Sequence, residues 1–295
     1  MSPSPSDPNV SDNHQKTFLV FGATGQTGQH FVSLALSQGH GVRAVARTPG
    51  KLALAHPDLD VRHGVIPDVA DLDALLTGVD FVVSMLGDAR LQQDRMLNTE
   101  FVRQLIPAMR RQGVTRFLYQ AGGLSRTPNT RLSPPLWFIR KTLARSYDGQ
   151  HRDNEAVMTY LAEEAGDISW VVHRAGIGSN GPSKGVLRRS GRTSLATFLD
   201  CADYNLRTVM DPTAVHTFDL SSYKKSEKAD GRPANKQKRG LFATAHESAL
   251  SAASAPQYCS MSPRAWSALT STVMTSLWPN RASSRRSVGF HSPFL

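Results

Sequence analysis

Three glycines, Gly22, Gly25 and Gly28, stand between a short apolar run and an amphipathic segment. A loop of this kind, placed between a strand and a helix, cradles the pyrophosphate of a dinucleotide. Gly22 allows the tight turn, Gly25 lets the backbone approach the phosphates, and Gly28 lets the helix pack close to the strand. The N-terminus of the helix adds free N–H groups and a positive dipole end. A second strand, Gly41–Arg47, follows at βαβ distance. The sequence therefore predicts nucleotide binding rather than a glycine turn that binds nothing.

Short β-rich runs alternate with longer helical runs from residue 17 to about residue 223. The expected strands are Phe18–Phe21, Val42–Ala46, Val61–His63, Phe81–Met85, Arg116–Tyr119 and Trp170–His173. The expected helices are Gln26–Gln38, Val69–Leu76, Thr99–Gln112 and His151–Ala165. This order predicts an α/β fold, a Rossmann-type doubly wound parallel sheet in a single domain over residues 17–223.

The positive charge of the chain is concentrated in its C-terminal part. The formal net charge is +10, but residues 224–295 hold 11 Lys and Arg against 3 acidic residues, which leaves +2 for residues 1–223. Nucleic acid is therefore not expected as a partner of the folded part. Because residues 224–295 are basic and Ser-rich without sustained periodicity, we expect a largely disordered C-terminal tail. The alternatives are a basic arm for nucleic acid or membrane, and an out-of-frame extension of a gene model.

The remaining composition favours a reduced, cytoplasmic setting. Residues 1–16 are rich in Ser, Pro and Asp and lack the apolar stretch of a secretory signal, so a disordered N-terminus is expected. No apolar run approaches the roughly 20 residues that span a bilayer. Cys201 and Cys259 lie far apart and match no metal-site spacing. We expect neither a metal nor a membrane.

The stretch Ser125–Tyr147 interrupts the alternation of strands and helices. It contains three prolines and the aromatic pair Trp137 and Phe138. A long irregular insertion in a compact domain is usually functional or disordered. Its position after the fifth strand lies beside the strand ends where such sheets bind ligands. We therefore expect a substrate-side loop rather than a linker.

The residues after the second strand favour NADP over NAD. An NAD-preferring site usually places an acid there to bind the ribose 2′-OH, whereas this chain has Arg47, with Lys51 nearby. A cation at this point suits the additional 2′-phosphate of NADP. The alternative is a solvated surface arginine.

Four short motifs together point to one known group of proteins. They are FGATGQTG at Phe21–Gly28, VAR at Val45–Arg47, FVVSMLG at Phe81–Gly87 and GIG at Gly176–Gly178, of which only the first is specific. On these motifs, residues 17–223 resemble the atypical short-chain dehydrogenase/reductases of the NmrA-like NAD(P)-binding family. The nearest resemblance is to the biliverdin/flavin reductase-like branch.

The resemblance implies a set of cofactor-binding residues. Arg47 is expected to bind the 2′-phosphate, and Leu86 and Gly87 to line the adenosine half. The nicotinamide is expected near Gln120, Ala121 and Ala175. The pyrophosphate is expected to be bound by Gly22, Thr24, Gly25, Gln26, Thr27 and Gly28.

The chain also departs from the family pattern. The Tyr-x-x-x-Lys pair of the short-chain dehydrogenases is absent, so its proton-transfer mechanism cannot be carried over. Gly122 and Gly176 stand where the flavin-reductase branch has a Ser and a His. The family's Gly-Asp after the third strand is Gly64-Val65 here, which leaves that adenine contact missing or supplied by Asp68.

Three residues remain as candidates for the chemistry. Ser125 follows a glycine pair on the nicotinamide side, and Tyr147 and His151 bracket the start of the helix after the insertion. Tyr147 and His151 form a proton-donating pair if both lie on one helical face; the alternative is an exposed His and a packing Tyr. His173 is expected to be a hydrogen-bonded core residue. His216 is expected in the final strand.

The sequence favours an NADPH-dependent oxidoreductase that reduces a quinone, a flavin or an aromatic ketone, with a role in secondary metabolism as one setting. Its partner is then a small, flat substrate, and hydride chemistry comes from the cofactor. An alternative is a redox-sensing regulator that binds NAD(P) and a protein partner without turnover. A third reading, suggested by the tail, is a nonfunctional or truncated paralogue.

Overall fold

A central eight-stranded sheet dominates residues 15–223, the part of the chain that this computed structural model describes. Its strands are β1 (Thr17–Phe21), β2 (Gly41–Ala46), β3 (Leu59–His63), β4 (Phe81–Ser84), β5 (Arg116–Gly122), β6 (Ser169–Ala175), β8 (Leu187–Ser190) and β10 (Thr217–Tyr223). A separate small sheet joins β7 (Ile177–Ser179) to β9 (Ala196–Thr197). The expected disorder of residues 1–14 and 224–295 lies outside the described residues.

The strand order is β3-β2-β1-β4-β5-β6-β10-β8. Neighbouring strands from β3 to β10 pair in parallel, and β8 pairs antiparallel with β10 at the edge. The direction of strand succession reverses between β1 and β4, and ligands bind in the crevice beyond the carboxyl ends at such a switch point. The predicted parallel Rossmann-type sheet is confirmed.

Helices cover both faces of the sheet. They are α1 (Gln26–Ser37), α2 (Leu72–Leu76), α3 (Leu97–Arg111), α4 (Pro134–Lys141), α5 (Asp148–Glu164) and α6 (Phe198–Met210). On one face, Phe31 of α1 and Leu206 of α6 share a fully buried core with Val20 of the sheet. On the other face, α2, α3 and α5 pack over a core that includes Leu105 and Leu161. Both faces of the sheet are therefore buried, as the apolar strands require.

Helix α6 was not predicted from the sequence. Thr197 caps its N-terminus, because the Thr197 hydroxyl accepts a hydrogen bond from the backbone N–H of Asp200 at 3.1 Å. At the other end, the buried Arg116 of β5 donates to five backbone carbonyl groups, two of which belong to Thr208 and Val209. A cation near the C-terminus of a helix is favourable, so Arg116 ties α6 to the sheet.

Three further expectations need correction. The insertion Ser125–Tyr147 is not wholly irregular, because α4 forms within it with prolines in its first turn, where no N–H is needed. Helix α2 begins at Leu72 rather than at residue 69, since Asp71 caps it by accepting from the Ala74 N–H at 2.9 Å. His216 lies one residue before β10, with a φ of 52°, and is not part of the strand.

Candidate functional site

The loop between β1 and α1 depends on glycines at positions where a side chain would not fit. Gly22 has a φ of +83°, and a Cβ there would lie 2.7 Å from the Met85 carbonyl oxygen after β4. A Cβ on Gly28 would overlap the Gly22 carbonyl oxygen. The Gly25 N–H donates to the same oxygen at 3.0 Å and closes the turn. The roles predicted for Gly22 and Gly28, a tight turn and close helix–strand packing, match this geometry.

The N-terminus of α1 is suited to an anion. Gly25 provides no side-chain cap, and the first turn has no acidic residue. Gln26 is exposed, Thr24 is half-buried and Thr27 is buried beneath the turn. The backbone N–H groups of this turn are thus left for a ligand, and the helix dipole adds positive potential. These features fit the pyrophosphate of a dinucleotide.

Arg47 lies at the carboxyl end of β2, opposite the segment that follows β4. Its Nη1 is 3.8 Å from Oδ2 of Asp88, a residue that the sequence analysis did not single out. Asp88 comes directly after Leu86 and Gly87. The side chain of Arg47 is 57% exposed, so most of the guanidinium faces solvent. Arg47, expected at the 2′-phosphate, therefore lies close to the segment of Leu86 and Gly87, expected at the adenosine half, at one edge of the sheet.

The residues expected near the nicotinamide lie on two adjacent strands. Gln120 and Ala121 belong to β5 and Ala175 to β6. The strands pair in parallel with Ala121 opposite Arg174 and Gly122 opposite Ala175. All three expected residues therefore converge at the carboxyl edge of the sheet, on the far side of β4 from Arg47.

His173 belongs to a buried hydrogen-bond chain on the α6 face. Its Nδ1 is 2.7 Å from Oδ1 of Asn205, and its Nε2 is 2.8 Å from the Ser221 hydroxyl. The Asn205 amide in turn donates to Oε1 of Gln120 at 2.6 Å. Burial lowers the pKa of His173 to about 4, so the ring is neutral near pH 7. His173 is the hydrogen-bonded core residue expected, and its chain fixes the amide of Gln120.

Ser125 and His151 are brought together on the α5 face. The Ser125 Oγ lies 3.2 Å from Nδ1 of His151, and both residues are buried. The Asn154 amide donates to Ser125 Oγ at 3.3 Å, and the Tyr119 hydroxyl donates to Oδ1 of Asn154 at 2.6 Å. Asn98 donates to the Tyr119 hydroxyl at 2.8 Å. Four residues, from three separate elements and the loop after β5, thus lead to one histidine.

One direction of this chain gives His151 an N–H on its other nitrogen. Ser125 Oγ accepts from Asn154, and when Ser125 donates its own proton to Nδ1 of His151, the His151 proton is on Nε2. Nε2 is buried and has no hydrogen-bond partner among the described residues. Burial, together with the positive charge of Arg140, lowers the pKa of His151 to about 4 against the opposing effects of Glu155 and Asp148. The ring is therefore neutral near pH 7.

Tyr147 directly precedes the helix that carries His151. It ends a short 3₁₀ turn, Arg145–Tyr147, directly before α5, and it is half-buried. His151 belongs to the first turn and a half of α5. The pairing of Tyr147 with His151 stays a prediction.

Neighbouring side chains fill the space at the two glycines where the flavin-reductase branch has a Ser and a His. A Cβ on Gly122 would lie 3.3 Å from Cε1 of His151. A Cβ on Gly176 would overlap the Thr193 hydroxyl and approach the Ser194 carbonyl oxygen to 2.7 Å. His151 thus packs directly against the Gly122 position, and Thr193 fills the Gly176 position. Thr193, whose Oγ1 is buried without a partner among residues 15–223, was missed because it is distant in sequence.

Residues 15–223 contain no group of three or more His, Cys, Asp or Glu side chains placed to hold a metal ion. None of the helices in the same range combines the length and apolar character that crossing a bilayer requires.

Comparison with known proteins gives both a family and a fold. The model of a family described as NAD(P)H-binding matches residues 22–198. A 3-beta-hydroxysteroid dehydrogenase from Mycolicibacterium neoaurum is 32% identical over 114 residues, which is 35% of this chain and 31% of that enzyme. A 3 beta-hydroxysteroid dehydrogenase/Delta 5-->4-isomerase from Mycobacterium tuberculosis is 33% identical over 112 residues, 34% of this chain and 30% of that enzyme. The chain therefore matches about a third of the length of these relatives.

Solved structures with the same fold share little sequence with the chain. The oxidoreductase ylbE from Lactococcus lactis has a TM-score of 0.59 at 16% identity, covering 71% of this chain and 91% of that one. ChuY, an anaerobillin reductase from Escherichia coli O157:H7, has a TM-score of 0.57 at 19% identity, covering 74% and 100%. These likenesses concern the fold.

Proposed function

The chain belongs to the NAD(P)H-binding family, and on that basis we propose that it is an NADPH-dependent oxidoreductase that reduces a quinone, a flavin or an aromatic ketone. One observation carries the proposal. The glycine loop at Gly22–Gly28 and the buried Ser125–His151 pair both lie at the carboxyl edge of the sheet. One end of a bound dinucleotide would lie at the loop and its reactive end near the pair.

The preference for NADPH rests on Arg47. Its guanidinium is largely exposed, and its ion pair with Asp88 is long at 3.8 Å. A phosphate at this point would be a closer and more highly charged partner than the Asp88 carboxylate. Lys51, which is also exposed, adds a second positive charge nearby. NADPH is therefore the proposed cofactor, bound through the residues expected from the sequence.

A bound nicotinamide supplies the hydride, and the protein supplies orientation and polarisation. His151 carries a neutral Nε2–H that lacks a partner among the described residues. In the proposed reaction this N–H donates a hydrogen bond to the acceptor oxygen as negative charge develops there. Ser125 fixes the His151 ring, and the reduced oxygen takes its proton from water or from Tyr147. Gln120, whose amide is held by Asn205, lines the side of the proposed nicotinamide position opposite His151.

The redox-sensing regulator is the second candidate. It is favoured by Gly122 and Gly176, which lack the Ser and His of the flavin-reductase branch. In that case the chain binds NADPH and a protein partner but turns nothing over. A small-molecule substrate and a cytoplasmic location belong to the reductase proposal, and secondary metabolism is a setting compatible with it.

The test begins with calorimetric titration of the purified chain with NADPH and NADH. Menadione or FMN is then added to the NADPH complex, and oxidation is followed at the nicotinamide absorbance band. Tight NADPH binding with acceptor-dependent oxidation supports the reductase, and oxidation should fall in His151→Gln while NADPH binding is retained. Binding without turnover favours the regulator. Failure to bind either nucleotide contradicts both.

A further inference from the structure

Arg174 is a partly buried cation at the nicotinamide edge that lacks a carboxylate partner. It belongs to β6, directly before Ala175 and opposite Ala121 of β5. Its Nε donates to the carbonyl oxygen of Ser125 at 3.0 Å. Among residues 15–223, no acidic oxygen lies within ion-pair distance of it, and no hydrogen bond uses its two terminal nitrogens.

The acidic group that acts on Arg174 is also bound by two other arginines. Glu155 raises the pKa of Arg174 against the effect of burial. Arg126 binds both oxygens of Glu155 through its side chain, at 3.1 and 2.8 Å, and Arg140 donates to Oε1 of the same carboxylate. Arg174 is therefore a surplus cation near a carboxylate that other arginines already bind.

An unpaired charge withdrawn from water is unfavourable unless something pairs with it. Burial lowers the pKa of Arg174, although a guanidinium still keeps its charge near neutral pH. Retention of such a group at the edge of a ligand crevice is typical of a functional site. Its two terminal N–H pairs form the planar fork that matches an oxyanion.

The insertion beside Arg174 is basic and exposes aromatic rings. Ser125–Tyr147 contains five basic residues and no acidic one. The neighbouring α4 exposes two aromatic rings, Trp137 at 55% and Phe138 at 62%. A basic rim raises the local concentration of anions, and exposed rings provide contact area for a flat molecule.

We propose that Arg174 selects the substrate by binding a carboxylate or similar oxyanion on a planar aromatic acceptor. This rests on the proposed function and narrows its substrate class from aromatic acceptors in general to anionic ones. The oxyanion replaces the carboxylate partner that Arg174 lacks, while the ring lies between the nicotinamide edge and the insertion. Arg174 is thus a specificity-determining residue, distinct from the group that polarises the reacting oxygen.

The test compares two probes that differ in charge and hardly in shape, anthraquinone-2-carboxylate and anthraquinone-2-carboxamide. Equilibrium binding to the full-length chain is measured by tryptophan fluorescence, with and without NADP⁺. The wild type should bind the carboxylate more tightly, and Arg174→Gln should reduce that preference by about 10- to 100-fold, the value of a charge-assisted hydrogen bond. Arg174→Lys keeps the charge but not the planar guanidinium. Its preference for the carboxylate should lie between that of the wild type and that of Arg174→Gln.

Arg62→Gln is the matched control, because it removes an exposed arginine from β3 at the far end of the sheet. It should leave the preference unchanged. Thermal unfolding separates a binding defect from loss of the Arg174–Ser125 contact.

Three results overturn the proposal: equal binding of the two probes by the wild type, no binding of either probe, or an unchanged preference in Arg174→Gln. An equal loss of NADPH affinity in Arg174→Gln also overturns it, since Arg174 would then serve the cofactor. Absence of NADPH oxidation contradicts the reductase function without altering this binding comparison.

Discussion

The hydroxyl of Ser125 lies 3.2 Å from Nδ1 of His151. The two residues are 26 positions apart, on a loop and a helix that meet beyond the carboxyl end of β5. Asn154 completes the arrangement, since its amide donates a hydrogen bond to the Ser125 oxygen. With Ser125 as the donor to Nδ1, the His151 ring is neutral and carries its proton on Nε2.

Asn154→Asp should reverse this arrangement with little change in shape. The new carboxylate cannot donate to Ser125, so the Ser125 proton turns towards residue 154 and Nδ1 of His151 becomes the donor to the Ser125 oxygen. The added negative charge should raise the pKa of His151 from about 4 towards its ordinary value. Imidazole ¹⁵N NMR, with His151 assigned by comparison with His151→Gln, measures both changes. His173 serves as the internal control, and an unchanged His151 spectrum would contradict the inferred chain.

The two buried histidines should make the protein less stable in mild acid. Their pKa values are lowered to about 4 in the folded state, against 6.5 as the ordinary value, so the unfolded state binds protons first as the pH falls. The free energy of unfolding should therefore decrease between pH 7 and pH 5, by on the order of 1–2 kcal/mol for each histidine. Urea denaturation measures the slope. The slope should be smaller in His151→Gln, and an equal slope in both proteins would show that His151 does not contribute.

Arg47→Asp should change the choice of cofactor. Loss of the cation and gain of an anion should weaken NADPH binding by roughly 100-fold, the combined effect of losing and opposing a charge-assisted contact. NADH lacks the 2′-phosphate and should be affected much less. Asp88→Asn is the companion variant, because it removes the acid that faces Arg47 and should favour NADPH slightly. Calorimetry with both nucleotides gives the comparison, and equal losses for NADPH and NADH would refute the assignment.

Gly28→Ala tests the close packing of α1 against the loop. Its added methyl group would overlap the Gly22 carbonyl oxygen, so the helix must shift and the phosphate cradle with it. We expect a loss of about 1–3 kcal/mol in stability, typical of overpacking, together with much weaker NADPH binding. Gly166→Ala is the control, since no atom lies within 4 Å of the added group there. Wild-type binding by Gly28→Ala would show that the loop does not need this contact.

The parallel sheet could be predicted because its signals are local. Each parallel strand is a short apolar run, and the glycine spacing identifies the first turn without long-range information. Helix α6 was missed although the sequence carries a signal for it, Thr197 followed three residues later by Asp200 at a helix start. Helix α4 was not predicted, because its prolines were expected to prevent a helix, whereas the first turn of a helix tolerates proline.

The candidate site was only partly predictable for a different reason. Ser125 and His151 were both expected near the chemistry, but their contact depends on how α5 lies against the end of β5. Asn154 could have been found, since it lies three residues after His151 on one face of α5. The surplus charge of Arg174 could not be predicted from the sequence, because it depends on which arginines contact Glu155 in the folded chain.

The crowding at Gly176 also limits how this protein can change. A histidine placed there by one substitution would force its Cβ into the Thr193 hydroxyl and the Ser194 backbone. The pattern of the flavin-reductase branch at this position therefore requires the loop between β8 and β9 to move as well. One substitution is not enough to place a histidine at this point of the sheet edge.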